Sequence, residues 1–327
     1  MMLFRTNRGR GLPVRGIACS VGLALGLVSP VAAQQAEVEP EDSEREPFQL
    51  PFSVTVAAGL EYDSKVTVEE LDITGTVSDF AVVLDLDLDY LKRFDQGTDF
   101  RAGYSLSQKN YFDETEFDLQ IHNLSFDLKQ NFEEFDVGLQ NYNVLARLDD
   151  QQLLRFHHVS PYFTSFLTRR LYVRGAYFYR DKTFEDNPDR DADVHAGDVD
   201  LYFFIDGVRN YVVAGLRFED EDTLADEFDF RGQQFELRYS RRVDLYGDRP
   251  VRFRADWRYE NRDYQSVTPS IGVKRDDSRQ RWRLRLDLPV SEKLTTLLTY
   301  QYRLHSSNLP SADFSDHRFE VQLEAEF

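Results

Sequence analysis

The chain has 327 residues, a formal net charge of −19, 14% aromatic residues and a single cysteine. So acidic a protein is a poor partner for nucleic acid, and one cysteine cannot close a disulfide within the chain. Past the N-terminal segment no apolar run approaches the ~18–20 residues of a membrane helix, and 211–216 is typical of the longest.

Residues 1–33 read as a secretory signal peptide. Arg5, Arg8, Arg10 and Arg15 supply a basic start, 17–28 an apolar core, and Val31, Ala32 and Ala33 the small residues before a cleavage point. No Arg-Arg pair is present, which favours the general secretory route. Cys19 follows a faint lipoprotein-like box but precedes most of the apolar core, so lipidation there is not expected. Cleavage removes Cys19 and with it thiol catalysis and Cys-ligated metals. Residues 34–51 are acidic, proline-punctuated and poor in apolar side chains, the composition of a disordered periplasmic segment.

From Phe52 onward the residues alternate between apolar and polar, as they do when a strand has two unlike faces. Strand one, Phe52–Asp63, sets Val54, Val56, Ala58, Leu60 and Tyr62 in one row. Strand two, 78–91, sets Phe80, Val82, Leu84, Leu86, Leu88 and Tyr90 against Asp85, Asp87 and Asp89. Strand three carries Phe100, Ala102, Tyr104 and Leu106. In strand four Phe117, Leu119 and Ile121 give way to Leu124, Phe126 and Leu128, a change of phase that predicts a bulge near His122-Asn123. Strand five centres on Phe135, Val137 and Leu139, and strand six, 153–167, is interrupted by Pro161. Strands seven to thirteen follow around Val173, Leu201, Ala214, Leu237, Phe253, Leu284 and Leu298.

The last strand, 318–327, places Phe319, Val321, Leu323, Ala325 and Phe327 on one face and Arg318, Glu320, Gln322, Glu324 and Glu326 on the other. An apolar ladder ending on an aromatic residue resembles the closing strand of bacterial outer-membrane barrels. The resemblance implies that this row is the signal read by the barrel-assembly machinery.

Short connections such as 92–97, 130–134, 168–170, 206–210, 244–249 and 289–293 alternate with longer polar ones such as 182–193, 219–227, 261–278 and 305–315. This is the pattern of a barrel with tight periplasmic turns and larger surface loops. Strands of about 10–14 residues suit a tilted membrane crossing better than a soluble sandwich, whose strands run about 5–6. The expectation is an all-β protein, a 14-stranded antiparallel transmembrane β-barrel over 52–327 with both termini periplasmic, in the bacterial outer membrane. The mean hydropathy is negative, which a barrel tolerates because half of each strand faces a polar lumen. Tyr62, Tyr90, Tyr179, Tyr259 and Tyr302 lie near strand ends, as interfacial girdles or simply as good strand formers.

If the apolar rows face lipid, their neighbours face inward. One wall is then acidic, built from Asp85, Asp87, Asp89, Glu320, Glu324 and Glu326, and another basic, built from Arg252, Arg254, Arg258, Arg281, Arg283 and Arg285. Two readings stay open. In one, a transverse field spans a hydrated pore and selects polar or anionic solutes. In the other, these charges pair with one another and with Asp256, Glu260 and Asp287 to fill a narrow interior.

Asp189, Asp191, Asp193 and Asp200 have the spacing of a calcium loop, but Val194 stands where the sharp turn demands glycine. A solvated acidic loop, with at most nonspecific divalent bridges to lipopolysaccharide, fits better, and neither metal nor cofactor is expected. His157-His158 near Ser160, and His305 beside Ser306-Ser307, put bases next to hydroxyls. Strand neighbours point to opposite faces, and neither G-x-S-x-G nor H-E-x-x-H occurs, so the chain does not read as an enzyme.

Two stretches resemble a narrower family. Ala58-Gly-Leu-Glu-Tyr-Asp-Ser-Lys-Val66 is similar to the G-x-x-Y-D-S-N-V opening of the barrel domain of surface lipoprotein assembly modifiers, and Tyr300–Pro310 to their last hairpin. Lys65 replaces the usual Asn, and 34–51 is too short for one tetratricopeptide repeat of ~34 residues. The resemblance implies translocation of surface lipoproteins with a separate periplasmic partner. A small-solute porin with a charged lumen, and an adhesion barrel acting through its loops, are the alternatives.

Overall fold

The computed structural model describes residues 51–75, 77–246 and 249–327. The segment 1–33 and, Pro51 apart, the acidic stretch 34–51 lie outside the described residues. The strands are β1 Phe52–Asp63, β2 Asp79–Phe94, β3 Thr98–Tyr111, β4 Leu119–Asn131, β5 Phe135–Leu148, β6 Gln151–Thr168 and β7 Leu171–Phe184. They continue as β8 Ala192–Asp206, β9 Asn210–Thr223, β10 Phe230–Tyr246, β11 Arg249–Thr268, β12 Val273–Pro289, β13 Leu294–Ser307 and β14 Phe314–Glu326. Each pairs antiparallel with its neighbours in sequence, and β14 pairs with β1 from Thr55↔Glu326 to Asp63↔Arg318, closing a cylinder. Closure leaves no edge, so each backbone N–H and C=O of the wall finds its partner inside the protein. Fourteen strands ~4.8 Å apart and tilted by about 40° enclose a barrel ~28 Å across between backbones.

The outer surface is apolar all the way round. Leu60, Phe80, Leu84, Leu128, Phe203, Leu216, Leu284, Phe319 and Val321 are among the many large hydrophobic residues that are about half exposed. A belt of that extent far exceeds the few hundred Å² that a soluble monomer tolerates, so its solvent is lipid. A closed, even-stranded antiparallel cylinder with such a belt is the architecture of outer-membrane barrels, and the bacterial outer membrane is where this one resides. Outward Tyr–His pairs recur across the strands: Tyr104 with His122 at 2.8 Å, Tyr177 with His195 at 2.6 Å and Tyr300 with His317 at 3.0 Å. Their ring bodies and polar tips suit the membrane interface.

The expected bulge at His122-Asn123 is absent. β4 keeps one register with β3 from Thr98↔Gln130 to Lys109↔Leu119, and with β5 throughout. Leu119 and Ile121 therefore point into the barrel, on the same side as Asn123 and Ser125, while Leu124, Phe126 and Leu128 point to lipid. The change of phase marks a change in what the inner face touches. Irregularities fall elsewhere, as at Ala146/Arg147 and Asp263/Val267.

One long connection is also shorter than expected. β11 and β12 continue through most of 261–278, leaving 269–272 as the turn. β5 and β6 are joined by Asp149-Asp150 alone, both at positive φ (46° and 59°), the left-handed pair that a tight hairpin requires. Four outer connections repeat one device: a single 3-10 turn followed by an aspartate whose carboxylate accepts the backbone N–H closing the preceding strand. The pairs are Asp118 with Tyr111, Asp191 with Phe184, Asp229 with Thr223 and Asp313 with Ser307.

Pro161 does not break β6. It pairs across from Tyr177, whose carbonyl loses a donor because proline has no N–H. The Ser160 hydroxyl donates to that carbonyl instead, at 3.0 Å.

Candidate functional site

The lumen is the candidate site, and two features shape it: the charge on its wall and a loop folded into its outer mouth. The loop joins β1 to β2. Thr67-Val68 pairs with Ile73-Thr74 in a short ribbon, Glu69–Leu71 makes its tip, and the Gly75 N–H donates to the Val66 carbonyl at 2.6 Å. A Cβ on Gly75 would lie 2.8 Å from that carbonyl oxygen, so only glycine lets the ribbon close so tightly. Val66 and Val68 are each 1% exposed, buried against Tyr111, Leu119, Ile121, Val144, Leu154 and Phe156 on the inner faces of β3 to β6. This apolar seat is what the inward-turned Leu119 and Ile121 serve.

The loop's far side is held by charge. Asp72 accepts from Arg275 on β12 at 2.8 and 2.9 Å, and from Arg190 in the β7–β8 connection at 2.8 Å. Arg190 also donates to the Glu70 carbonyl at 2.9 Å, and the Glu70 carboxylate lies 3.9 Å from Lys182 on β7. Glu69 pairs with Arg303 on β13, which donates to Thr67 Oγ1 as well. The loop thus leaves the wall at β1 and reaches across the bore, tied on one side to β12 and β13 and on the other to β7 and the β7–β8 connection. Burial would raise the Asp72 carboxyl, but the hydrogen-bonded guanidinium groups of Arg275 and Arg190 outweigh it and hold it well below the usual carboxylate range. Two small cavities lie beside the tip, one against β9–β11 and one against β11–β14.

Below the loop the wall is polarised. Arg252, Arg254, Arg258, Arg281, Arg283 and Arg285 all occupy inward positions on β11 and β12. Asp287 receives three of them: Arg254 at 2.6 Å, Arg285 at 3.0 Å and Arg252 at 4.0 Å. Arg258 lies 3.5 Å from Glu236, and Arg283 donates to Gln301 at 2.7 Å. Asp85, Asp87 and Asp89 line β2 opposite Ala57, Thr55 and Ser53 of β1, whose other neighbour β14 carries inward Glu320 and Glu324 and, at the periplasmic rim, Glu326. Gln322 donates to Asp85 at 2.6 Å, and among the described residues Asp87 has no ion-pair partner. Both rows face the lumen, and among the described residues Asp87 and Arg281 are without an ion-pair partner.

The outward row of the closing strand includes Phe319, Val321 and Leu323, at 52, 54 and 48% exposure, with Ala325 continuing it. Phe327 exchanges backbone hydrogen bonds with Val54 and is 67% exposed.

The remaining sequence candidates are dispersed. Asp191 caps a turn, Asp193 accepts from Tyr179 on the outer face at 2.5 Å, and Asp200 lies in the lumen 3.3 Å from Arg238. His157 faces out between Asn141 and Asn143, whereas His158 is buried inside between the Tyr142 and Phe178 rings. His305 sits with Asp277 and Arg279.

Sequence reasoning missed the loop entirely, together with its partners Arg190, Arg275 and Arg303. It also missed Arg180, 6% exposed and lying over the Phe156 and Phe178 rings. The alternation Val66-Thr67-Val68 inside a connection was the available signal.

No protein-family model matches the chain, and no curated protein matches it by sequence. Among solved structures it is similar to an anion-selective porin from Comamonas acidovorans, with a TM-score of 0.49 and 9% identity over 84% of this chain and 98% of that one. It is also similar to OccAB3 of Acinetobacter baumannii (0.45, 9%, 84% and 99%) and to OprD of Pseudomonas aeruginosa (0.43, 10%, 84% and 95%).

Proposed function

We propose that the protein is an outer-membrane channel for small solutes, with a preference for anions. One observation carries the reading: the two signs of charge are unevenly spread around the lumen wall, arginines dominating β11 and β12 and carboxylates β14 and β2, with β13 between them. Six arginines on the inward rows of β11 and β12 meet Asp256, Glu260 and Asp287 on those strands and Glu236 on β10, while Asp85, Asp87, Glu320 and Glu324 cluster on β2 and β14. A wall built only to fill space would pair its charges locally. Unequal charge around a water-filled bore with low-dielectric walls instead leaves a lateral field that orients a permeating ion. The inward loop argues against passage of a folded lipoprotein domain, because its tip would have to be torn from buried ion pairs first. In this reading the row from Phe319 to Phe327 is what the assembly machinery engages, and lipopolysaccharide meets the outer connections.

The test is reversal potential in planar bilayers under a KCl gradient. The intact protein is expected to conduct with chloride favoured over potassium. The triple variant Arg254→Gln, Arg283→Gln, Arg285→Gln is expected to shift the reversal potential toward cations. A silent bilayer, or a triple variant whose selectivity equals that of the parent, overturns the proposal.

A further inference from the structure

Three lumen-facing arginines stand side by side at one level of the wall. Arg258 on β11 is directly opposite Arg281 on β12, and Arg281 is directly opposite Arg303 on β13. Residues so paired have Cβ atoms ~4.5–5.5 Å apart, where like charges repel. The two ends of the row are compensated. Arg258 faces Glu236 on β10, and Arg303 is gripped by Asp316 on β14 through two bonds of 2.7 Å. The centre has no direct partner: among the described residues Arg281 makes neither a hydrogen bond nor an ion pair, and Glu236 and Asp256 act on it only from a distance.

Open space adjoins this row. A small cavity is lined by Arg258, Arg281, Arg303, Phe314, by Glu260, whose carboxylate is taken by Arg262, and, from the inward loop, by Glu69. Glu69 already places a carboxylate on Arg303. The loop therefore brings an anion of its own to one edge of the row and leaves the middle empty-handed. Guanidinium forks match the planar or tetrahedral oxygens of carboxylate and phosphate, and charge-assisted bonds of this kind are the strong ones. Arg281, held between two arginines whose own charges are already met, is the one guanidinium left for an incoming anion, which is the arrangement of a binding site rather than of a structural filler.

We propose that Arg258, Arg281 and Arg303 form a binding site for a small oxyanion, centred on Arg281, and that Glu69 is the resident carboxylate such an anion displaces. The inference deepens the channel reading by naming the class of solute, and it rests on that reading for the route by which the solute arrives.

Binding is measured on the purified full chain in detergent, by calorimetric titration of inorganic phosphate at fixed ionic strength in chloride, with acetate as a second ligand. The intact chain is expected to bind phosphate in the millimolar range. Arg281→Gln is expected to weaken binding at least tenfold, while unfolding no more readily than the parent because a repulsive neighbour has gone. Glu69→Gln is expected to tighten it severalfold, since the internal competitor is lost. Acetate binding at the same residues extends the site to carboxylates, and its absence narrows the site to phosphate-like heads. An Arg281→Gln chain that binds phosphate as the parent does overturns the site, and a Glu69→Gln chain that binds no more tightly overturns the displacement. Because binding is read without conduction, a chain that binds but does not conduct sinks the channel reading and leaves the site standing.

Discussion

Neutralising Asp72 tests whether the inward loop is latched by its ion pairs. Asp72→Asn keeps the size of the side chain and removes the charge that receives Arg275 and Arg190. Breaking a buried pair by deleting one partner costs about 3–5 kcal/mol. Here the cost is smaller, because Arg275 keeps Asp277 at 2.7 and 2.9 Å and Arg190 keeps the Phe228 ring at 4.2 Å. We take about 2–3 kcal/mol, the lower part of that range or just beneath it. Burial of Val66 and Val68 contributes ~1.5–3 kcal/mol each, so the loop stays docked on average but opens more often. At about 1.4 kcal/mol per tenfold, the undocked fraction rises about 30- to 150-fold.

The assay is thiol labelling of Val68→Cys in a Cys19→Ser background, since Cys19 is the chain's only cysteine. Val68 is 1% exposed when docked, so its labelling rate reports the undocked fraction. The effect of pH follows from the lowered Asp72 carboxyl. Its contribution is fully present above the ordinary carboxylate value of about 4 and is lost only as pH falls below that, through the folded value. The ratio of rates between variant and parent is therefore expected to stay flat between pH 5 and 8. A ratio below about threefold at neutral pH, where tenfold answers to about 1.4 kcal/mol, refutes the latch.

Two further outcomes are expected. Ser160→Ala leaves the Tyr177 carbonyl without a donor and costs about 1–3 kcal/mol in urea unfolding from vesicles. Adding Pro161→Ala restores most of it, because residue 161 then has an N–H facing that carbonyl; a double variant no more stable than Ser160→Ala contradicts the account. Fluorophores on single cysteines at 121 to 124 should be quenched by brominated lipid at 122 and 124 and spared at 121 and 123, whereas a bulge would put 121 and 124 on one face.

Most of the wall was legible because period-two alternation is the one constraint that a lipid-facing strand cannot relax. Phe80, Leu84 and Leu88 must face out whatever else the strand does, and Asp85, Asp87 and Asp89 are carried inward with them. What lay beyond the reach of the pattern was any contact between residues far apart in the chain. Nothing local to Asp72 points to Arg275, and nothing near Glu69 points to Arg303. The pairing of six arginines was equally hidden, since alternation says which way a side chain points and not whom it meets. Hence alternation left both readings of the lumen, open pore or self-neutralised filler, without the partners that bear on them: Asp287 beside three arginines, and Arg281 with no direct partner among the described residues.

The misread phase of β4 turns into the most informative sequence feature once its cause is known. An apolar pair facing the lumen would be stranded in water in an open pore, so Leu119 and Ile121 require a cover. The same reversal appears on the next two strands, at Val144 and Ala146 and at Leu154 and Phe156. Three consecutive strands reversing at the outer third of the barrel describe a patch on the inner wall, and a patch needs an occupant of matching character. The connection from β1 to β2 carries an apolar alternation of its own, Val66-Thr67-Val68, directly before the acidic tip Glu69-Glu70. A reversal of phase shared by neighbouring barrel strands thus argues for an inward-folded segment before it argues for a bulge, because a bulge answers to one strand and a cover answers to all three.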